Sequence, residues 1–375
     1  MQMCDVFTRS IFDKSFITNI KKYLSDTTYQ QQHLAGAGPI YNLESKLKDF
    51  YQKKFVVAFS NATTALQTLA IALDLNDLEV ITSPINWGGA ISPFLLNGSK
   101  LRFASYDPRT LSLSVEDLVN AKTSKSKAVL SVDYNGFSTD SKSIKQFCEK
   151  HNLIYINDSA QSLGAYRDGY PSGYFADIIV LSFSSYKSIF GGEGGAILTN
   201  KYEFYKKILW ISQHPLRQKS VFGLNHYNEY APINGRMNPL TAILLNHTFD
   251  LALKRLRKKQ QIIFDIIQEL VKDGLVISPY YIRQADESTY FKISLELNSS
   301  ANIEMVNSFL KLKRYPFIAK EDTVRLIPFD PFFVKQFKGR YSITRSLSVL
   351  RKKESFTKRI TLINSQIISQ MDKDI

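Results

Sequence analysis

Between residues 55 and 200 one pattern recurs: a short apolar run, a polar or glycine-containing exit, then apolar positions at helical spacing. Short apolar runs bounded by turn residues read as buried strands, and apolar positions at i, i+3, i+4 and i+7 read as amphipathic helices. Strands are predicted at 55–59, 79–82, 101–105, 128–132, 153–156, 178–182 and 196–199. Helices are predicted at 40–52, 64–73, 115–121 and 141–151, with one opened by 86–90 and running toward 96 and a further one near 16–24. Strands alternating with helices make a largely parallel sheet covered on both faces. After residue 200 the pattern changes. Residues 238–270 carry apolar positions at helical spacing. Residues 291–297 alternate as a strand does, 303–312 read as a helix, 323–327 as a strand and 355–371 as a terminal amphipathic helix. The expected architecture is α/β. A large, mostly parallel-sheet domain (1–250, with an N-terminal segment) is followed by a small C-terminal α+β domain (251–375).

Four strand exits are polar: Ser60 to Thr63, Trp87, Asp158 to Gln161, and Ser182 to Lys187. In open α/β sheets ligands bind beyond the carboxyl ends of the strands, so these exits should meet along one edge. Each carries a different handle. Ser60 to Thr63 lead into the helix at 64–73, and the free N–H groups of a helix N-terminus, with small hydroxyl residues beside them, favour a phosphate; a plain Ser/Thr cap is the simpler reading. Trp87 can lay its indole on a planar ring, although such a Trp is more often core. Asp158 ends an apolar strand and reads as a cap or as a functional carboxylate. Lys187 is a lone lysine on a hydroxyl- and glycine-rich loop between two apolar strands. Burial lowers the pKa of such an amine, and a neutral lysine amine captures aldehydes; taken alone it is a solvated turn lysine. Together the four handles match pyridoxal phosphate: phosphate, ring, ring nitrogen and aldehyde. No Rossmann fingerprint or Walker loop competes, since Gly36-Ala37-Gly38 follows no strand and lacks the third glycine.

Composition narrows the classes further. There are 48 Lys and Arg against 34 Asp and Glu, a formal net charge of +14. Such a balance suits nucleic acid, an anionic small substrate, or simply a solubilising surface. No zinc-finger or RNA-binding signature and no repeat accompanies it, so no nucleic-acid partner is expected. Two cysteines, Cys4 and Cys148, without paired spacing argue against a disulfide scaffold and a metal site. No apolar run is long enough for a membrane span, and Met1 to Asp13 lacks a signal pattern. A cytoplasmic location is the expectation.

The ordered motifs resemble the DegT/StrS-type (DegT/DnrJ/EryC/StrS) aminotransferases over roughly residues 34–260. Gly38 to Leu47, with Glu44, resembles the family's glycine–glutamate opening. Asn61-Ala62-Thr63-Thr64-Ala65-Leu66 resembles its phosphate turn, Val132-Asp133-Tyr134-Asn135-Gly136 its V-[HD]-x-x-G strand end, and Asn157-Asp158-Ser159-Ala160-Gln161 its Glu-Asp-Ala-Ala-Gln run. Gly173 to Asp177, Ser182-Phe183…Lys187…Gly192-Glu193-Gly194-Gly195 and Asn234-Gly235-Arg236-Met237 match three more motifs. The resemblance implies the aspartate aminotransferase-like fold (fold type I) and transfer of an amino group, from glutamate, to a keto group of a nucleotide-linked sugar. It implies that Lys187 carries pyridoxal 5′-phosphate as an internal aldimine and moves the proton. Asp158 pairs with the pyridine nitrogen, Gln161 lies on the ring-hydroxyl side, and Trp87 stacks on the ring. Ala62, Thr63 and Ser182 hold the phosphate. Asn234 reaches it from the neighbouring subunit, which implies a homodimer with active sites at the interface. Several positions depart from the pattern: Ala62 for the turn glycine, Ser184-Ser185 before the lysine, Gly235 for an aromatic, and a divergent stretch after about residue 275. These departures keep open a non-sugar keto substrate; another reaction of the same cofactor is a second alternative, and the basic charge keeps a non-catalytic binding or regulatory role as a third. Sugar dehydratases of this family carry histidine at the lysine position, so Lys187 favours transamination over dehydration.

Overall fold

The computed structural model describes residues 14–107, 110–225, 227–228, 233–277, 287–353 and 359–364. The stretch Met1 to Asp13 with Cys4, and both flanks of the expected 355–371 helix, lie outside the described residues. In chain order the strands are β1 (Phe55–Phe59), β2 (Glu79–Thr82), β3 (Lys100–Phe103), β4 (Ser126–Val132), β5 (Ile154–Asp158), a short hairpin β6 (Tyr166–Arg167) and β7 (Tyr170–Pro171), then β8 (Ile178–Ser182) and β9 (Gly195–Thr199). The remaining strands are β10 (Ile293–Glu296), β11 (Phe317–Glu321), β12 (Tyr341–Ile343) and β13 (Arg359–Asn364).

The large sheet has eight strands in the order β1-β9-β8-β5-β4-β2-β3-β12. From β8 to β12 every pairing is parallel, while β9 runs antiparallel to both β1 and β8. Side chains alternate between the faces with period two. Val57, Phe59, Ile178 and Val180 enter one apolar cluster; Val56, Ala58, Ile179 and Leu181 enter the other. Burial on both sides is why these strands read as continuous apolar runs instead of alternating ones.

The helix Pro39–Tyr51 buries Ile40, Leu43 and Leu47 against the second face, and also carries the buried Glu44. Arg217 meets that carboxylate with two bonds (3.0 and 2.8 Å), and Glu44 Oε1 also accepts the Ala58 N–H at 2.8 Å. The guanidinium passes over Gly36, whose φ of +71° and lack of a Cβ leave room for it. Deleting one partner of a buried ion pair leaves the other unpaired, at a cost of about 3–5 kcal/mol. Arg217→Ala is therefore expected to lower the urea midpoint by that much stability without changing the slope, as followed by circular dichroism.

A 34-residue helix, Pro239–Lys272, runs from the large sheet into a smaller unit. There β13 lies between β10 and β11 in an antiparallel sheet, with Ile360, Leu362, Ile293 and Leu295 packed on Ile263, Ile267 and Val306.

Three expectations are corrected. The helix at 355–371 is replaced, where described, by the central strand β13; Ile360 and Leu362 face the core at period two, and ladders on both sides satisfy the backbone. The strand at 323–327 is not formed. Pro328 cannot donate to a ladder, and the segment instead leads into a 3-10 turn, Ile327–Phe329, whose Ile327 N–H donates to Pro84 O. The helix at 115–121 shrinks to Leu118–Ala121, because the Asp117 carboxylate is taken by the Ser105 N–H and the Thr344 hydroxyl, both at 2.6 Å. The expected boundary at 250/251 falls inside the long helix. Chain well beyond it returns to the large sheet: β12 pairs with β3, and Leu326, Phe333 and Leu347 join the first apolar cluster. Among the described residues no helix is long and apolar enough to cross a membrane.

Candidate active site

Strand register gathers the expected residues. Phe59 at the end of β1 and Ser182 at the end of β8 both pair with Gly195, the first residue of β9. The turn after Phe59 and the lysine loop after Ser182 therefore leave the sheet at the same level. Asn61 is extended (φ −166°) and its side chain accepts the Thr64 N–H at 2.7 Å, which starts the helix Ala62–Ala72. The N–H groups of Ala62 and Thr63 then have no acceptor within the helix. A Cβ on Gly195 would lie 2.6 Å from Ala62 N. Glycine at 195 is thus what allows β9 to pass beneath the turn. Ala62 substitutes for the family glycine without strain, because it already sits in the first helical turn.

Trp87 precedes the helix Gly88–Leu96 and is 72% exposed. A Cβ on Gly89 would lie 2.9 Å from the indole Nε1 and 3.0 Å from the Thr63 hydroxyl, while one on Gly88 would meet nothing within 4 Å. The indole and the Thr63 hydroxyl thus both lie against Gly89, at the start of the helix that Trp87 precedes.

Asp158 is the last residue of β5 and is only 4% exposed. Its Oδ1 accepts the Ala160 N–H at 2.9 Å. Burial pushes its pKa up to about 6, against the opposing pull of that N–H and of Lys187, and with Asp133 adding to the rise. Behind it lies a buried polar network. The Asp133 carboxylate accepts from the Thr139 N–H (2.8 Å) and from the hydroxyls of Ser162 (2.7 Å), Thr139 (3.0 Å) and Ser159 (3.1 Å). Asn157 Nδ2 donates to Asp133 and to Ser131 Oγ. Full satisfaction of this kind fixes the β5 exit in one arrangement.

Lys187 follows Tyr186, which takes a positive φ of +71° and is 88% exposed. Burial lowers the Lys187 pKa, and the nearby Asp158 works in the opposite sense. The two groups sense each other's charge from the exits of neighbouring strands, β5 and β8. Gln161 is anchored: its Oε1 accepts the Asn135 N–H at 2.8 Å, and its carbonyl accepts the Thr289 hydroxyl at 2.6 Å. Ser182 Oγ lies 3.2 Å from Ser184 Oγ and accepts the Ser184 N–H at 3.4 Å.

Lys187, Asp158, Gln161, Ser182, Ala62, Thr63 and Trp87 therefore belong to one sheet edge. Asn234 does not share it within this chain. It lies exposed, at φ +49°, in an adjoining cleft with His33, Ser60, Glu193 and Arg236. Its neighbour Gly235 accepts the Ser60 N–H at 2.8 Å, and Arg236 bridges to Phe59. Sequence reading missed Phe291, whose ring lies 4.4 Å from Lys187 Nζ. It reaches the site from 104 residues away in the chain, and nothing local marks it. The edge offers an amine for an aldehyde, an acid for a ring nitrogen, helix N–H groups for a phosphate and an exposed indole for a planar ring.

A family model described as the DegT/DnrJ/EryC1/StrS aminotransferase family matches residues 16–335. GDP-perosamine synthase of Vibrio cholerae is 26% identical over 281 residues, 75% of this chain and 74% of that protein. UDP-4-amino-4,6-dideoxy-N-acetyl-beta-L-altrosamine transaminase of Helicobacter pylori is 34% identical over 186 residues, 48% of each protein. The solved structure of E. coli GDP-4-keto-6-deoxy-D-mannose-3-dehydratase with bound hydrated PLP superposes with a TM-score of 0.75 at 18% identity, covering 98% of this chain and 97% of that one. The fold is thus the aspartate aminotransferase-like one, built on the mostly parallel sheet described above.

Proposed function

This chain belongs to the DegT/DnrJ/EryC1/StrS aminotransferase family, and from that premise we propose that it is a pyridoxal-phosphate-dependent aminotransferase acting on a keto group of a nucleotide-linked sugar. The observation that carries the reading is the convergence, at one sheet edge, of the Lys187 loop after β8, the buried Asp158 at the end of β5 and the helix N-terminus after β1. Bound at this edge, pyridoxal phosphate supplies an aldehyde for an amine and a ring that takes up electrons when a proton leaves the substrate carbon.

The residues divide the work. Ala62 N–H, Thr63 and Ser182 hold the phosphate, helped by the helix dipole. Trp87 covers one face of the ring. Asp158, ionised once a cationic ring nitrogen lies beside it, holds the proton on that nitrogen. Gln161, fixed through Asn135, offers its amide on the ring-hydroxyl side. Desolvation favours the neutral form of the Lys187 amine, the form that would capture the aldehyde and, when free, take a proton from the substrate carbon.

Glutamate is the amino donor in this reading. The active unit is a homodimer in a cytoplasmic setting, in which Asn234 of the partner subunit completes the phosphate site. The nucleotide-sugar acceptor is supported by what the relatives' names say of those proteins. The net charge of +14 suits a diphosphate-bearing substrate.

The test is a visible spectrum. Protein mixed with pyridoxal phosphate should develop an absorption band that glutamate bleaches. No band would sink the cofactor assignment, and a band unmoved by glutamate would sink the donor. A second expected result concerns the cradle. Gly195→Ala drives a Cβ into Ala62 N and should weaken pyridoxal phosphate binding at least about tenfold, a loss of ~1.4 kcal/mol, measured by fluorescence titration.

A further inference from the structure

The segment that brings Phe291 to the lysine is tied down at every step. The Thr289 hydroxyl donates to Gln161 O (2.6 Å), and the Thr289 N–H donates to Gly136 O (3.1 Å). The Ser288 hydroxyl donates to the same Gly136 carbonyl at 2.9 Å, and the Lys292 N–H donates to Asn135 O at 3.4 Å. Gly136, at φ +90°, has no room for a Cβ against Thr289 and the Phe291 N–H.

Beneath the segment lies Lys259, on the long helix. It is half-buried, and its ammonium donates to Thr289 O (3.1 Å) and Tyr290 O (2.9 Å). Neither partner is a carboxylate, and its pKa is depressed by burial to about 8. An ammonium drawn partly out of water and held only by carbonyls is costly, and so is the left-handed backbone of Tyr290 at φ +46°, unusual for a bulky side chain. Two costly features meet at the residues just before Phe291, and the ring they deliver lies 4.4 Å from Lys187 Nζ.

We propose that residues 288–291 form a built arm that holds the Phe291 ring against the free ε-amine of Lys187, making Phe291 a positioning residue for that amine and Lys259 the anchor of the arm. The ring keeps bulk water from one side of the amine, while its negative face favours the ammonium. The free amine is thereby parked at a fixed place, beside Asp158, during the part of the cycle in which it is not bonded to anything. The proposal rests on Lys187 being the working amine. Among charged groups, Asp158 on β5 acts on Lys187 directly and Asp133 acts through Asp158; Lys292 is engaged by Asp322, and Lys259 by the two carbonyls.

The experiment is competitive acetylation of the full, cofactor-free chain across pH, with the Lys187 peptide read by mass spectrometry. Pentafluorophenylalanine at position 291 keeps the ring's shape but reverses its charge distribution. The Lys187 midpoint should then fall by about 0.4–0.7 of a pH unit, as expected from loss of a cation–π contact of ~0.5–1 kcal/mol. Phe291→Tyr should retain the wild-type midpoint. Lys259→Met, which releases the arm and admits water, should raise the midpoint toward 10.5. Equal midpoints for phenylalanine and its fluorinated form would overturn the proposal, as would a Lys187 midpoint indifferent to Lys259→Met. The readout needs no cofactor. A shifted midpoint in a chain that forms no visible band would uphold the arm while overturning the function.

Discussion

Lys187→Ala is expected to abolish the visible band formed with pyridoxal phosphate and to cut turnover by at least about 10³-fold, since one substitution removes both nucleophile and proton carrier. Loss of fold is not the cause in this account. The folded protein lowers the Lys187 pKa, so between that value and 10.5 the unfolded chain binds more protons than the folded one. By linkage, the wild-type cofactor-free protein gains stability as pH rises through that window. The alanine variant lacks this term. Its stability near neutral pH should equal or exceed that of wild type, and its pH dependence should be flatter on the alkaline side. Thermal unfolding of the cofactor-free chains across pH checks this; a variant that melts earlier at neutral pH would place Lys187 in the architecture instead.

Asp158→Asn should move activity and stability in opposite directions. The amide cannot hold a proton on a ring nitrogen, and turnover should fall by about 10²–10³-fold, the scale of a lost electrostatic partner in a closed site. The cofactor-free chain should gain stability. The rise of the Asp158 pKa from 3.8 to about 6 means that the folded state disfavours the carboxylate by ~3 kcal/mol as an upper figure. The sign follows: the folded chain binds the extra proton, so wild-type stability falls as pH rises from about 4 to about 6 and stays low above that. The asparagine variant should not show this fall. Denaturation midpoints at pH 4.5 and pH 8 for both proteins measure the difference. A variant less stable at pH 8 would mean that the acid is structural.

The strand exits were readable because each ends a run buried on both faces, so apolar residues stop where the sheet stops. Asp158, Ser182 and the polar turn Ser60 to Thr63 could be placed from that pattern alone, and their meeting at one edge follows from the common direction of the strands; the helix expected from Thr64 begins two residues earlier, at Ala62, where the Asn61 cap starts it. Contacts that depend on distant chain were not readable. β12 adds to the large sheet from residues 341–343, where three half-buried positions carry no periodicity. β13 was misread as helix because apolar and polar positions around 355–371 satisfy a helical period; the β-branched Ile360, Thr361 and Ile363 and the two partner strands decide otherwise. The contact of Phe291 with Lys187 depends on a positive φ at Tyr290 and on Lys259, neither of which has a local signature.

The central claim, amino transfer to a nucleotide-linked keto sugar, is tested most directly with isotope. The pyridoxal-phosphate-loaded protein is incubated with ¹⁵N-glutamate and a panel of nucleotide-linked keto sugars, and the nucleotide-sugar fraction is weighed by mass spectrometry. The account predicts a product carrying the heavy nitrogen on one of those sugars, absent with Lys187→Ala. Heavy nitrogen appearing only on simple keto acids, with every nucleotide sugar recovered unchanged, would contradict it.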